Sequence, residues 1–91
     1  MKNKTINKVS QLSLSKKVAY CRLIDEFITS GNTGCYEDIA ERLEITDALT
    51  KDLVKYMTEE FGCPIEFDKN ANGFSYTRNG RFVAGFLPDK E

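Results

Sequence analysis

The chain contains no histidine, which removes both an imidazole general base and any zinc site of the ordinary His-containing kind. Its three cysteines, Cys21, Cys35 and Cys63, lie 14 and 28 residues apart. That spacing excludes a C-x-x-C pair and an even-numbered disulfide framework, and it fits reduced thiols. No apolar run approaches the roughly 18–20 residues that a bilayer span needs. Met1 is followed by Lys2, Asn3 and Lys4 rather than by an apolar signal stretch. A cytoplasmic protein without membrane contacts is expected, with no metal and no cofactor. The adjacent acids Asp25-Glu26, Glu37-Asp38 and Glu59-Glu60 point to different faces of their helices, so they solvate rather than share a proton, and no catalytic site is expected.

Proline is also scarce, with two residues, against 41% hydrophobic and 30% charged residues, which is the profile of a folded domain rather than a disordered tail. At 91 residues there is room for one core. The net charge of −1 hides a strong asymmetry. Residues 1–22 carry Lys2, Lys4, Lys8, Lys16, Lys17 and Arg22 and no acid. Residues 23–62 carry ten acids against Arg42, Lys51 and Lys55, and the remainder balances. A basic arm on an acidic body results, compatible with nucleic acid at one face and equally with ordinary solvation.

Residues 1–15 show no single hydrophobic period and read as a flexible basic arm. From residue 16 to 30, Tyr20, Leu23, Ile24, Phe27 and Ile28 mark one face of an amphipathic helix, with Ser15 as its N-cap and Gly31 as its end. Residues 33–35 suit a short strand. A second helix fits residues 36–43, with Glu37 and Asp38 in its first turn and Ile39, Ala40 and Leu43 inward. A third begins at Thr46 and buries Leu49, Leu53, Tyr56, Met57 and Phe61 before Gly62 closes it. Only Glu44 and Ile45 separate these two helices, and an apolar plug in so short a corner is the helix-turn-helix arrangement. After Pro64 the period changes to two. Ile65 and Phe67, then Phe74 and Tyr76, alternate with polar residues around a loop ending in Asn72-Gly73, so a hairpin with a protruding tip is expected. Residues 81–86 alternate again, as a third strand.

The stretch Tyr36-Glu37-Asp38-Ile39-Ala40-Glu41-Arg42-Leu43-Glu44-Ile45-Thr46, followed by Phe61-Gly62-Cys63-Pro64-Ile65-Glu66-Phe67-Asp68-Lys69 and Asn72-Gly73-Phe74-Ser75-Tyr76, resembles a known pattern. It is similar to the "LAERLG" helix and the "LGAPIEYD...GYYY" wing of DeoR-like and WYL-type bacterial transcriptional regulators and of small stand-alone Bacteroidetes versions, over roughly residues 18–86. The resemblance implies an α+β winged helix-turn-helix domain at residues 16–87, between the arm and a tail at 88–91. At position 44 the family pattern carries Gly. Glu there implies either a left-handed residue strained by about 1 kcal/mol or a differently shaped turn. The third helix also lacks the family's Arg-rich opening.

The function implied is sequence-specific binding of double-stranded DNA by a small transcriptional regulator. The helix at about 46–61 would lie in the major groove and the wing at 65–77 on the backbone. Thr46, Thr50, Lys51 and Lys55 are the candidate contacts on the helix, and Lys69, Arg78, Arg81, Lys16 and Lys17 are candidate phosphate contacts. Each has an alternative reading as ordinary solvated surface. Residues 82–87 either cover the domain's own core or form a homodimer seam. The competing function is a protein-interaction module that uses the acidic helical surface and does not bind DNA.

Overall fold

The computed structural model describes residues 6–82 and the backbone of residues 86–88. Three helices, α1 Leu14–Ser30, α2 Tyr36–Leu43 and α3 Asp47–Phe61, precede two antiparallel hairpins. The first pairs β1 Ile65–Asp68 with β2 Gly73–Tyr76, and the second pairs β3 Gly80–Phe82 with β4 Phe86–Pro88. This is an α+β, three-helix winged helix-turn-helix layout.

Capping explains most of the boundaries. Ser13, not Ser15, caps α1, and its Oγ accepts from the Lys16 N–H at 3.3 Å. The cap moves forward because Leu12, the residue before it, is drawn into the core. Gly31 ends α1 in the left-handed conformation, with φ 74°, and the Asn32 N–H closes the turn onto the Phe27 carbonyl. Thr46 caps α3 by accepting from the Leu49 N–H at 3.0 Å. Between α2 and α3, Glu44 sits at φ 58°, ψ 44°, so the corner keeps its left-handed form and the residue bears the strain. Ile45, 1% exposed, plugs the corner as its position predicts.

The core differs from expectation mainly on α1. Its buried row is Cys21, Ile24, Asp25 and Ile28, while Leu23 remains 38% exposed and Tyr20 is only half-buried. The helix is rotated because Asp25 is an inward residue. One of its carboxylate oxygens accepts from the Tyr76 hydroxyl at 2.6 Å and from the Phe82 N–H at 2.8 Å. These bonds join both hairpins to α1. Burial, and then the bond to Asp25, push the Tyr76 hydroxyl pKa above its ordinary range.

Residues 33–35 form no strand. Instead the buried Thr33 side chain does the strand's work, its Oγ1 accepting the Phe74 N–H at 2.6 Å. The wing loop turns through Asn72 at φ 52°, as the Asn-Gly pair predicts. Asp68 Oδ1 braces the loop by accepting from the Asn70 N–H at 2.9 Å. The expected single strand at 81–86 is divided between β3 and β4, with Phe82 opposite Phe86. Cross-strand partners share a face just as residues i and i+4 of one strand do, so alternation alone does not reveal the reversal. Phe82 is buried against Phe61, with ring centroids 5.1 Å apart, so this residue of the segment belongs to the domain's own core.

The expected loose arm is structured within its described part. Residues 9–11 form a 3-10 turn, and Val9 and Leu12 are buried. Residues 1–5 and 89–91, and with them most of the expected tail, lie outside the described residues, as do residues 83–85.

Two outcomes follow. Glu44→Gly relieves the left-handed residue and raises stability by about 1 kcal/mol, seen as a Tm increase of about 4–8 °C in thermal unfolding. Burial also raises the thiols, Cys21 to about 12 and Cys63 to about 11, against an ordinary 9.0. The folded state therefore holds protons that the unfolded chain releases. Stability is complete below pH 9.0 and falls as pH rises toward 12, a loss that Cys21→Ala lessens in alkaline denaturation curves.

Candidate nucleic-acid interface

Helix α3 buries Leu49, Thr50, Leu53, Val54 and Met57, the i, i+3, i+4 row that helical periodicity requires of an inward face. The opposite side is exposed along its length and carries Asp47, Ala48, Lys51, Lys55, Thr58 and Glu59. Lys51 and Lys55 stand one turn apart on this strip. Asp47 and Glu59 offset their charge, so the strip as a whole is neutral.

The wing borders one side of the strip. Tyr36, Val54, Ile65, Phe67 and Phe74 line a groove there, with Lys51 and Lys55 on its helical wall. The aromatic rings form a chain, Tyr36 to Phe74 at 4.8 Å and Phe74 to Phe67 at 5.0 Å between centroids. Lys51 Nζ lies 5.6 Å from the Tyr36 ring centroid, a cation–π contact that steadies the lysine near the groove. On the other side Lys17 and Lys55 share a cleft with Asp52, Tyr56, Glu59 and Glu60. Lys17 Nζ is 5.7 Å from the Tyr56 ring centroid.

The expected contact residues therefore separate into groups. Lys51, Lys55 and Lys17 fall together along α3, and Lys16 is exposed on the adjoining first turn of α1. Lys69 is exposed in the wing loop, whose flanks Asp68 and Asn72 border the α1–α2 turn and Arg42. Arg78 lies beside Ile28 and Thr29 at the far end of α1, and Arg81 is exposed on β3. The twelve residues from Lys17 to Thr29 correspond to about 18 Å of helix, so Arg78 is not part of the α3 surface.

Two candidates require correction. Thr50 is 0% exposed, and its hydroxyl donates to the Thr46 carbonyl at 3.0 Å, so it reaches no base. A threonine in the first turns of a helix looks polar in sequence, yet its hydroxyl satisfies itself on the preceding turn and its methyl packs inward. Thr46 is half-buried and its hydroxyl is fully engaged, accepting from the Leu49 N–H and donating to the Ile6 carbonyl at 3.1 Å. Arg42, the other base of the acidic middle, is committed to packing: it donates to the Asn32 carbonyl and stacks 4.8 Å from the Phe27 ring centroid.

Sequence reasoning missed Phe67 as a surface feature. It is 38% exposed on the groove, although strand alternation places it on the same face as the half-buried Ile65. It also missed Asp52, whose carboxylate accepts the Val9 N–H at 2.7 Å across 43 residues of chain. No local signal announces such a long-range bond.

Thr50→Ala is expected to cost about 1–2 kcal/mol of stability through the lost hydroxyl and methyl. Chemical denaturation of the variant beside the wild type reads this loss.

No protein-family profile, curated protein or solved structure significantly matches the chain, so the residues themselves carry the functional argument.

Proposed function

We propose that the chain binds double-stranded DNA as a small transcriptional regulator, with α3 entering the major groove beside the wing. The observation that carries this reading is the uncovered strip of α3, which holds Lys51 and Lys55 one turn apart next to Lys17. An α-helix fits the major groove, and lysines reach both guanine edges and phosphates. With Thr46 and Thr50 committed within the domain, Ala48 and Lys51 become the residues of α3 closest to base-reading positions. The neutral charge of the strip leaves most of the affinity to other lysines, Lys16 and Lys17 beside it and Lys69 at the wing tip. A single copy then binds weakly, and two copies on adjacent half-sites of a symmetric operator supply the missing contacts.

A second reading, a protein-docking module without DNA binding, is favoured by one observation. The groove between α3 and the wing has an aromatic floor and the exposed Phe67, while Glu26, Glu37, Glu41, Glu44, Asp47, Glu59 and Glu60 are all exposed on the helical body. An acidic surface of that kind suits a basic protein partner.

Mobility-shift titration separates the two. Duplex DNA is shifted at about 50 mM salt, and affinity falls steeply with salt, as release of counterions from several phosphates demands. Lys51→Glu abolishes the shift and Lys55→Glu weakens it by at least tenfold, while Arg78→Ala, distant from α3, leaves it within twofold. Full affinity in Lys51→Glu would remove α3 from the mechanism.

A further inference from the structure

The exposed strip of α3 has two borders, and only one of them is the wing. The other is the segment ahead of α1, held to the helix by two long-range hydrogen bonds. The Thr46 hydroxyl donates to the Ile6 carbonyl at 3.1 Å, and the Val9 N–H donates to the Asp52 carboxylate at 2.7 Å. Val9 and Leu12, 5% and 7% exposed, plug the same segment into the core. Gln11 Oε1 accepts from the Asn7 and Lys8 N–H groups, each at 3.1 Å, which closes the turn. Between the two anchors the side chains of Asn7 and Lys8 are exposed, and Val9 and Ser10 line the cleft that holds Lys17 and Lys55.

We propose that residues 6–12 act as a second wing, a clamp on the nucleic-acid backbone whose charged contact is Lys8 and whose positioning residue is Asp52. The inference rests on the duplex-binding reading above. A lysine on a loose arm gives up backbone freedom when it docks, whereas the backbone of Lys8 is already fixed at both sides. The strip is then flanked by the wing hairpin on one side and by Lys8, Lys17 and Lys16 on the other. This explains how a neutral helix face serves a polyanion: the cations stand on its shoulders. It also gives Asp52 a role opposite to its charge. A bare carboxylate beside phosphates repels them, but this one secures the segment that brings a cation.

The test uses that opposition of sign. Duplex affinity is measured by fluorescence anisotropy from 50 to 200 mM salt for the wild type, Lys8→Ala, Asp52→Asn and Asp52→Ala. Lys8→Ala makes the log–log salt slope shallower by about 0.9, the contribution of one phosphate contact. Asp52→Ala removes a negative charge and the acceptor together, and it weakens binding with the same loss of slope. Asp52→Asn removes the charge but retains an acceptor for the Val9 N–H, and it binds at least as tightly as the wild type with the slope unchanged. Amide hydrogen exchange at Val9 serves as a readout independent of DNA: slow in the wild type and in Asp52→Asn, faster in Asp52→Ala. If Asp52→Ala and Asp52→Asn tighten binding alike, or if Lys8→Ala leaves the slope unchanged, the second wing is overturned while duplex binding stands. If the wild type fails to bind duplex at all, the nucleic-acid reading falls and the clamp falls with it.

Discussion

A carboxylate occupies the position on α1 where a helical domain ordinarily places an aliphatic side chain, and the arrangement of both hairpins depends on it. Asp25 is 8% exposed, between the buried Cys21 and Ile28. A buried carboxylate without partners is strongly unfavourable, so the fold is obliged to bring donors to it. The Tyr76 hydroxyl arrives from the first hairpin and the Phe82 N–H from the second. Apolar packing tolerates sliding, but these two bonds do not, and they give each hairpin one seat on α1. Because β2 is seated there, β1 and its Phe67 come to lie along α3, and the groove beside the exposed strip has a defined shape.

The candidate interface is best understood through what the domain keeps for itself. The hydroxyls of Thr46 and Thr50, the carboxylate of Asp52 and the guanidinium of Arg42 all look like surface chemistry, and all are engaged internally. What remains outward on α3 is short: Ala48, Lys51, Lys55 and Thr58, with Asp47, Glu59 and Glu60 at the margins. An outward face this sparse leaves any contact with a partner largely to its flanks, and both flanks are structured. The wing hairpin is braced by the Thr33 hydroxyl and by an aromatic chain through Tyr36, and the segment at 6–12 is pinned to α3.

Local chemistry makes much of this legible in the sequence. The bounds of α2, the Thr46 cap, the left-handed Gly31 and Gly62, the Ile45 plug and the Asn72 turn all follow from signals within a few residues. What was not legible depends on partners far away in the chain. The face of α1 was misjudged because Asp25 reads as solvent-facing until Tyr76 and Phe82 are placed against it. The segment at 6–12 shows no periodicity because its only regular element is a single 3-10 turn at residues 9–11, and its order comes from α3. The second hairpin was hidden because alternation survives a chain reversal. Among the expected contact residues, lysines stayed outside, as long charged side chains do, whereas threonine, small enough to bury once its hydroxyl is satisfied, went inside at Thr50.

On the proposed reading, duplex DNA meets the domain at the uncovered side of α3, between its two flanks. The most direct measurement is an NMR titration of the isotope-labelled chain with a short duplex at low salt, following each backbone amide. The largest shifts are then expected on Ala48, Lys51 and Lys55, with smaller ones at Lys8 and Phe67, while Glu26 and Glu41 on the acidic body stay in place. Shifts concentrated on that acidic body, or no shift anywhere at saturating duplex, would contradict it.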